Sequence, residues 1–247
     1  MKDVTIAYRG KDQVETHVPL HGEDIKALAR NGYNASAQRY FDWNSSLPSP
    51  RLEWLDKCFL HVQAASNTVS PVWSNLYALE LGCGAGVPTT LKLAQICKHV
   101  TGVDISSAQL GIARTKFEDA GVLEDKYELR EADMAALTFP ESSFDGICAF
   151  YSIIHLPLQE QRAVLEKMHT WLKPGGFTLF NVGAQASGED GEVEEDWLGM
   201  RAFWASYGTE GILKIVKEIG FGIVECDTVQ IEGDAAFTWI IARKPEI

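Results

Sequence analysis

From Asn75 onward the chain alternates short apolar runs with amphipathic segments, and this alternation restricts the folds open to it more than any other feature. "YALELG", "HVTGVD", "KYELREAD", "FDGICAFY" and "FTLFNVG" read as strands, the fourth apolar enough to be covered on both faces. The segments between them read as helices with their own punctuation. Pro88 falls in a first turn, where its missing N–H costs nothing. Ser106 and Gln109 form a capping-box pattern for the next helix, with Leu110, Ala113 and Phe117 as its inner stripe and Gly121 at its end. Pro157 opens a third, carrying Leu158, Leu165, Met168 and Leu172, and "KPGG" (Lys173 to Gly176) stops it. Such alternation predicts βαβ units. Right-handed crossovers then place the strands in one parallel sheet with helices on both faces, an α/β doubly wound fold whose ligand site lies at the carboxyl ends of the strands.

Residues 1–70 read differently, as a small helical cap preceding the α/β domain of residues 71–247. "EDIKALAR" and "YNASAQRYFDW" have helical spacing, and after Pro48 and Pro50 the residues Leu52, Leu55, Phe59 and Val62 share one face. No apolar run approaches the ~18 residues of a membrane span. "MKDVTIAYRGKDQVETH" has no apolar signal core, so a cytoplasmic setting without a membrane partner is expected. The five cysteines have no C-x-x-C spacing, so neither a metal site nor a disulfide framework is expected, and they read as small buried hydrophobes. A net charge of −12 argues against nucleic acid as a partner, because binding to phosphates is built from Lys and Arg. Part of that charge is local: six of the eight residues from Glu189 to Asp196 are acidic, a run that reads as a solvated mobile loop, with a role in selectivity as the alternative.

Chemistry concentrates where the first strand meets the first helix. In "LELGCGAGVPTTLKLA", Gly82, Gly84 and Gly86 let backbone N–H groups face a ligand that approaches closely. A tight strand-to-helix crossing without a ligand needs glycines as well. The dinucleotide fingerprint G-x-G-x-x-G requires glycine where Val87 stands, which weighs against NAD, and no Lys-Ser or Lys-Thr follows to make a Walker loop. Asp104 ends the second strand about twenty residues beyond the glycines, where a carboxylate accepts both hydrogen bonds of a ribose diol and Ile105 packs on a base. Capping the following helix is its other reading. Asp133 ends the third strand, suited to an adenine amino group with Met134 against the ring, or to capping its own loop.

"LELGCGAG", "VTGVDIS", "READMAALTFPESSFDGI" and "LKPGG", in this order and spacing over residues 77–183, resemble the successive motifs of class I S-adenosylmethionine-dependent methyltransferases. The resemblance implies a Rossmann-like sheet of seven strands with the last antiparallel, matching "GIVECDTVQIEGDAAFTWIIARK". It implies S-adenosyl-L-methionine as cofactor and S-adenosyl-L-homocysteine as its product. Glu80 then orders the glycine turn, Gly82, Cys83, Gly84 and Gly86 border the methionine moiety, Asp104 and Ile105 take the ribose and base, and Asp133 with Met134 takes the adenine. Phe150 and Tyr151, at the end of the fourth strand, complete the cofactor set. "YNASAQRY" resembles the Y-x-x-x-A-x-x-Y element that closes over the cofactor in small-molecule members, making Tyr33 and Tyr40 lid candidates, with core packing as the alternative.

A methyl on a positive sulfur is already reactive, so the protein's task is to align an acceptor lone pair behind the carbon and exclude water. A hydroxyl or thiol acceptor must also lose a proton. His155, in "FYSIIHLP", is the candidate base, suited to neutral pH with an ordinary pKa near ~6.5, and a structural hydrogen bond at the strand end is its other reading. "DWLGMRAFWASYGTEG" supplies Trp197, Phe203, Trp204 and Tyr207; aromatics suit a planar or hydrophobic small-molecule acceptor, and Trp204 and Tyr207 are the expected lining residues. Oxygen, nitrogen, sulfur and carbon acceptors all remain open, as do a cofactor-binding protein without methyl transfer and the oligomeric state.

Overall fold

The computed structural model describes residues 24–66, 72–230 and 235–246; the start of the expected cap, residues 67–71 and part of the expected last strand pair lie outside them. Five strands fall where the apolar runs predict them: β1 (Tyr77–Leu81), β2 (His99–Asp104), β3 (Tyr127–Glu131), β4 (Phe144–Ala149) and β5 (Leu172–Gly183). After a hairpin of β6 (Glu192–Trp197) and β7 (Met200–Trp204) come β8 (Gly222–Gln230) and β9 (Ala236–Arg243). The seven-stranded sheet runs β3-β2-β1-β4-β5-β9-β8, and β9 is antiparallel to both neighbours while the other pairings are parallel. Strand order therefore reverses between β1 and β4, the position where an open parallel sheet leaves a crevice at its carboxyl edge.

Burial follows the order. Residues 177–182 of β5 are buried throughout, whereas edge strands β3 and β8 keep polar, part-exposed residues. One face of the sheet packs against α5 (Leu158–Trp171) and α6 (Gly208–Ile219) through Val164, Leu165, Met168, Ile212 and Val216. The other packs against α2 (Arg51–Ser66), α3 (Thr89–Ile96) and α4 (Ser107–Asp119). Within that layer Trp54 of α2 stacks on Trp239 of β9 with ring centroids 5.6 Å apart, so α2 shares the core of the sheet. Four cysteines are buried and Cys226 is half-buried; all five are free. Among the described residues no helix is long and apolar enough to cross a membrane and no side-chain cluster has the makings of a metal site.

Helix α1 (Ile25–Ser46), capped by Asp24 on the N–H groups of Lys26 and Ala27, crosses the carboxyl edge. Asn34 fastens it there, its carbonyl accepting from the Ser106 hydroxyl (2.7 Å) and the Ala108 N–H (3.1 Å) at the start of α4. Arg39 donates to the Leu198 carbonyl in the β6–β7 turn.

Five expectations need correction. Leu172 and "KPGG" belong to the start of β5 and not to the end of α5. The acidic run is not a loop throughout: residues 192–197 form β6, paired antiparallel with β7, because "MRAFW" offers a partner strand that the run's own composition does not reveal. Leu52 is exposed, and Trp54 and Cys58 take the buried positions beside Leu55. Pro88 stands at the N-cap of α3, one residue earlier than expected. Ser106 does accept from the Gln109 N–H, yet the Gln109 side chain donates to the Ala37 carbonyl of α1 rather than closing the capping box.

Candidate functional site

Between the ends of β1, β2 and β4 and the underside of α1 lies a cavity of about 990 Å³, measured out to its open mouth. The glycine turn forms its floor. Gly82 and Cys83 donate their N–H groups to the Val103 carbonyl (2.7 and 2.9 Å), pinning the turn to β2, and Gly84 donates to Asp104 Oδ2 at 2.7 Å. Gly82, Gly84 and Gly86 have φ of +70°, +54° and +72°, the left-handed region that other residues rarely enter. Their surroundings differ. A Cβ on Gly82 would lie 2.2 Å from Ser152 Cβ and one on Gly86 2.7 Å from the Phe117 ring, whereas one on Gly84 would meet nothing nearer than 3.8 Å. The first and third glycines serve packing; the second leaves the floor open to a ligand.

Glu80 is buried at the end of β1, where the Thr90 hydroxyl of α3 donates to it. It thus ties the two ends of the turn together, and burial, against the pull of that hydrogen bond and of Arg51, pushes its pKa up to about 7. Asp104 receives the Ser106 N–H at 2.9 Å as well as that of Gly84, so it caps and lines the cavity at once, and burial raises its pKa. Asp133 accepts from the Ala135 N–H (2.8 Å) and pairs with Lys26 of α1 (2.8 Å). Lys26 also reaches Glu160 at 2.8 Å. Ile105, Met134, Cys83 and Phe150 lie on the walls beside these groups.

A second cavity of about 870 Å³ adjoins the first, and Tyr33, Tyr40, Asn44, Arg51, Tyr151 and His155 line both. His155, half-buried in this shared wall, has both ring nitrogens engaged. Nδ1 lies 2.9 Å from the Phe203 carbonyl, which only accepts, so Nδ1 carries the proton and Nε2 accepts from the Tyr33 hydroxyl at 2.8 Å. Burial lowers its pKa to about 4 and raises that of Tyr33 well above the usual tyrosine value. The neutral-pH base expected from an ordinary histidine is therefore not what the fold provides: the imidazole is uncharged at pH 7 with its lone pair already shared.

Sequence reasoning missed Arg51. It is 8% exposed, held by Asn44 (3.1 Å) and laid over the Tyr151 ring at 4.8 Å, and its Nε has no hydrogen-bond partner among the described residues. Thr89 Oγ1 and Gln109 Oε1, on the wall of the first cavity, are equally unpartnered. Buried polar atoms without partners are costly, and three around one hollow mark where a polar ligand fits. The only sequence signal for Arg51 is a lone charge opening an otherwise apolar helix face after two prolines.

The far walls of the second cavity are aromatic. Trp197 of β6 touches Tyr33, Tyr40, Trp43 and Trp204 at ring-centroid distances of 6.0, 5.7, 5.7 and 5.1 Å. Trp204 lies 4.6 Å from His155 and lines this cavity. Tyr207 does not. It precedes α6, its ring packs on the core and its hydroxyl donates to the Leu158 carbonyl, because the chain leaves β7 after Trp204 and turns toward the helix layer.

Comparison with known proteins agrees with this fold. A family model described as a methyltransferase domain matches residues 78–176. The chain is 34% identical over 172 residues to a phosphatidylethanolamine N-methyltransferase of Cereibacter sphaeroides, covering 70% of this chain and 76% of that one. It is 29% identical over 176 residues to a sterol 24-C-methyltransferase of Gibberella zeae, covering 68% of this chain and 45% of the relative. The chain spans about half the length of several such curated relatives. Among solved structures, the magnesium protoporphyrin IX methyltransferase of Synechocystis PCC 6803 shares the fold with a TM-score of 0.67 at 17% identity, over 90% of this chain and 98% of that one.

Proposed function

The chain belongs to the class I S-adenosylmethionine-dependent methyltransferases, and from that premise we propose that it binds S-adenosyl-L-methionine in the first cavity and passes the methyl group, in line, to a small-molecule acceptor in the second. The observation that carries this reading is the shared wall: two cavities meet at Tyr33, Arg51, Tyr151 and His155, so a methyl donor in one faces an acceptor in the other. Bound there, the cofactor supplies a methyl already activated by a positive sulfur, and S-adenosyl-L-homocysteine is what remains.

The residues present fit that ligand. The open Gly84 and the unpartnered atoms of Arg51, Thr89 and Gln109 leave both room and hydrogen bonds for it. In this reading Asp104 accepts the ribose diol with the lone pairs left by its two backbone donors, Ile105 and Met134 sandwich the base, and Asp133 accepts from the adenine amino group. Gly82, Cys83 and Gly84 border the methionine moiety, while Gly86, expected beside them, packs against Phe117 off the cavity wall; Arg51 neutralises the carboxylate, and Phe150 with Tyr151 closes the side toward the acceptor. Tyr33 and Tyr40 act as the lid on α1; α2, expected within the same cap of residues 1–70, belongs instead to the core of the sheet domain. Alignment and exclusion of water supply on the order of 7–11 kcal/mol of the barrier. His155 holds the Tyr33 hydroxyl toward the acceptor and takes a proton only through it.

The net charge of −12 supports a partner other than nucleic acid, and five free cysteines suit a reducing compartment such as the cytoplasm. The relatives named above act on sterol carbon and on a phospholipid amine, which supports a metabolite acceptor, including specialised metabolites, without fixing the atom. A second reading keeps cofactor binding without methyl transfer, in a regulatory protein or one that catalyses another reaction; it is supported by the engagement of His155, the base expected for a hydroxyl or thiol acceptor, with Tyr33. Incubation of the protein with metabolite fractions and an isotope-labelled methyl donor separates the two. A labelled product, found by mass, supports transfer; labelled donor bound but never consumed supports the second reading.

A further inference from the structure

We propose that the second cavity receives a small amine whose nitrogen is the methyl acceptor, an inference that rests on the methyl-transfer reading above. Tyr33, Tyr40, Trp43, Trp197 and Trp204 line the space; Trp197 packs edge to face with Trp43 at 85° and with Trp204 at 89°, and Tyr40 lies tilted against Trp43 and Trp197 at 42° and 53°. An aromatic lining of this kind attracts ammonium groups through the ring quadrupole. Glu194, on β6, lines this cavity and not the first, within a hairpin whose neighbours Glu192, Glu195 and Asp196 are acidic too. The positive group on the wall, Arg51, stands at the boundary with the first cavity, stacked on Tyr151. His155, uncharged at neutral pH, adds no repulsion.

The chemistry matches the walls. An amine entering as the free base, its proton left in water, needs no base in the site. Its lone pair closes on the methyl carbon as the carbon–sulfur bond breaks and that electron pair returns to sulfur. The positive charge passes from sulfur to nitrogen, into the aromatic cage; a tertiary amine ends as a quaternary ammonium and other amines keep their protons as ammonium ions. A hydroxyl acceptor would instead have to shed a proton during transfer, and the nearby imidazole lone pair is occupied.

Calorimetric titration of the full chain saturated with S-adenosyl-L-homocysteine tests this, with choline as probe and 3,3-dimethylbutan-1-ol as its uncharged isostere. The expected result is that choline binds about tenfold more tightly or better. Trp197→Leu, with Trp43→Leu as the second variant if the first does not fold, removes most of that preference and leaves S-adenosyl-L-homocysteine affinity unchanged. Glu194→Gln weakens choline and not the alcohol. Equal or tighter binding of the alcohol to saturated protein overturns the amine assignment and leaves methyl transfer standing. Failure of S-adenosyl-L-homocysteine to bind at all overturns the underlying reading, and this inference with it.

Discussion

The two cavities share a wall and are built from opposite materials. The first is made of main-chain amides, glycines and carboxylates at strand ends, each fixed by the sheet: Gly84 on Asp104, Asp104 on Ser106, Glu80 on Thr90. The second is made of side-chain rings from α1 and the β6–β7 hairpin, elements laid over the sheet rather than within it. In the proposed reading, a ligand that never changes is recognised by backbone geometry that has little freedom to vary, and the group that distinguishes one substrate from another meets side chains that vary without disturbing the sheet.

Substitutions break or sharpen that contrast. The largest effect is expected at Gly82→Val, which brings a side chain onto Ser152 at a positive φ: strain plus overpacking costs about 4 kcal/mol. Binding of S-adenosyl-L-homocysteine by calorimetry should vanish and the melting temperature fall; retained affinity would mean the turn is not the floor of the site. Asp104→Ala should weaken the same ligand by roughly 1.5–3 kcal/mol, the worth of charged hydrogen bonds to a diol, and an unchanged Kd would remove that assignment.

The wall between the cavities carries a pH signature. Unfolded, His155 takes a proton near pH 6.5, while the folded protein resists until about pH 4, so stability present above pH 6.5 is lost as pH falls toward 4. The full shift is worth about 3 kcal/mol, and exposure of the ring to the cavities discounts it to about 2. Glu80 acts in the opposite direction: protonated in the fold up to about pH 7, it costs stability as pH rises from 4.5 to 7. Urea unfolding of His155→Gln should therefore lose the acid-side decline that the parent shows relative to it; parallel curves would contradict the placement of His155. The smallest effect belongs to the far wall. Trp43→Leu should raise the acceptor KM by about fivefold, near 1 kcal/mol, with S-adenosyl-L-homocysteine affinity unchanged.

The same division explains what could be read from the chain. The five parallel strands, the N-cap of α4 and the placement of Gly82, Gly84, Asp104 and Asp133 at one cavity follow from spacing along the sequence, because a strand's end and the turn after it are local events. The hairpin was hidden, since "EVEEDW" has acid on both of its faces and becomes a strand only through pairing with β7. Arg51 was hidden because tertiary contact alone buries it, and Tyr207 was misplaced because the aromatic segment divides between a strand and the entry to α6. The base strength of His155 depended on burial, set against the pull of the Phe203 carbonyl 48 positions away, and its lone pair is engaged by Tyr33, 122 positions away.

The central claim, that the strand-end hollow embraces an adenosyl sulfonium, is tested most directly by titrating the protein with S-adenosyl-L-methionine, S-adenosyl-L-homocysteine and NAD in parallel by calorimetry. The account predicts saturable one-to-one binding of the first two, weakened together in Asp104→Ala, and no heat from NAD. Tight NAD binding with no response to either adenosyl ligand would contradict it.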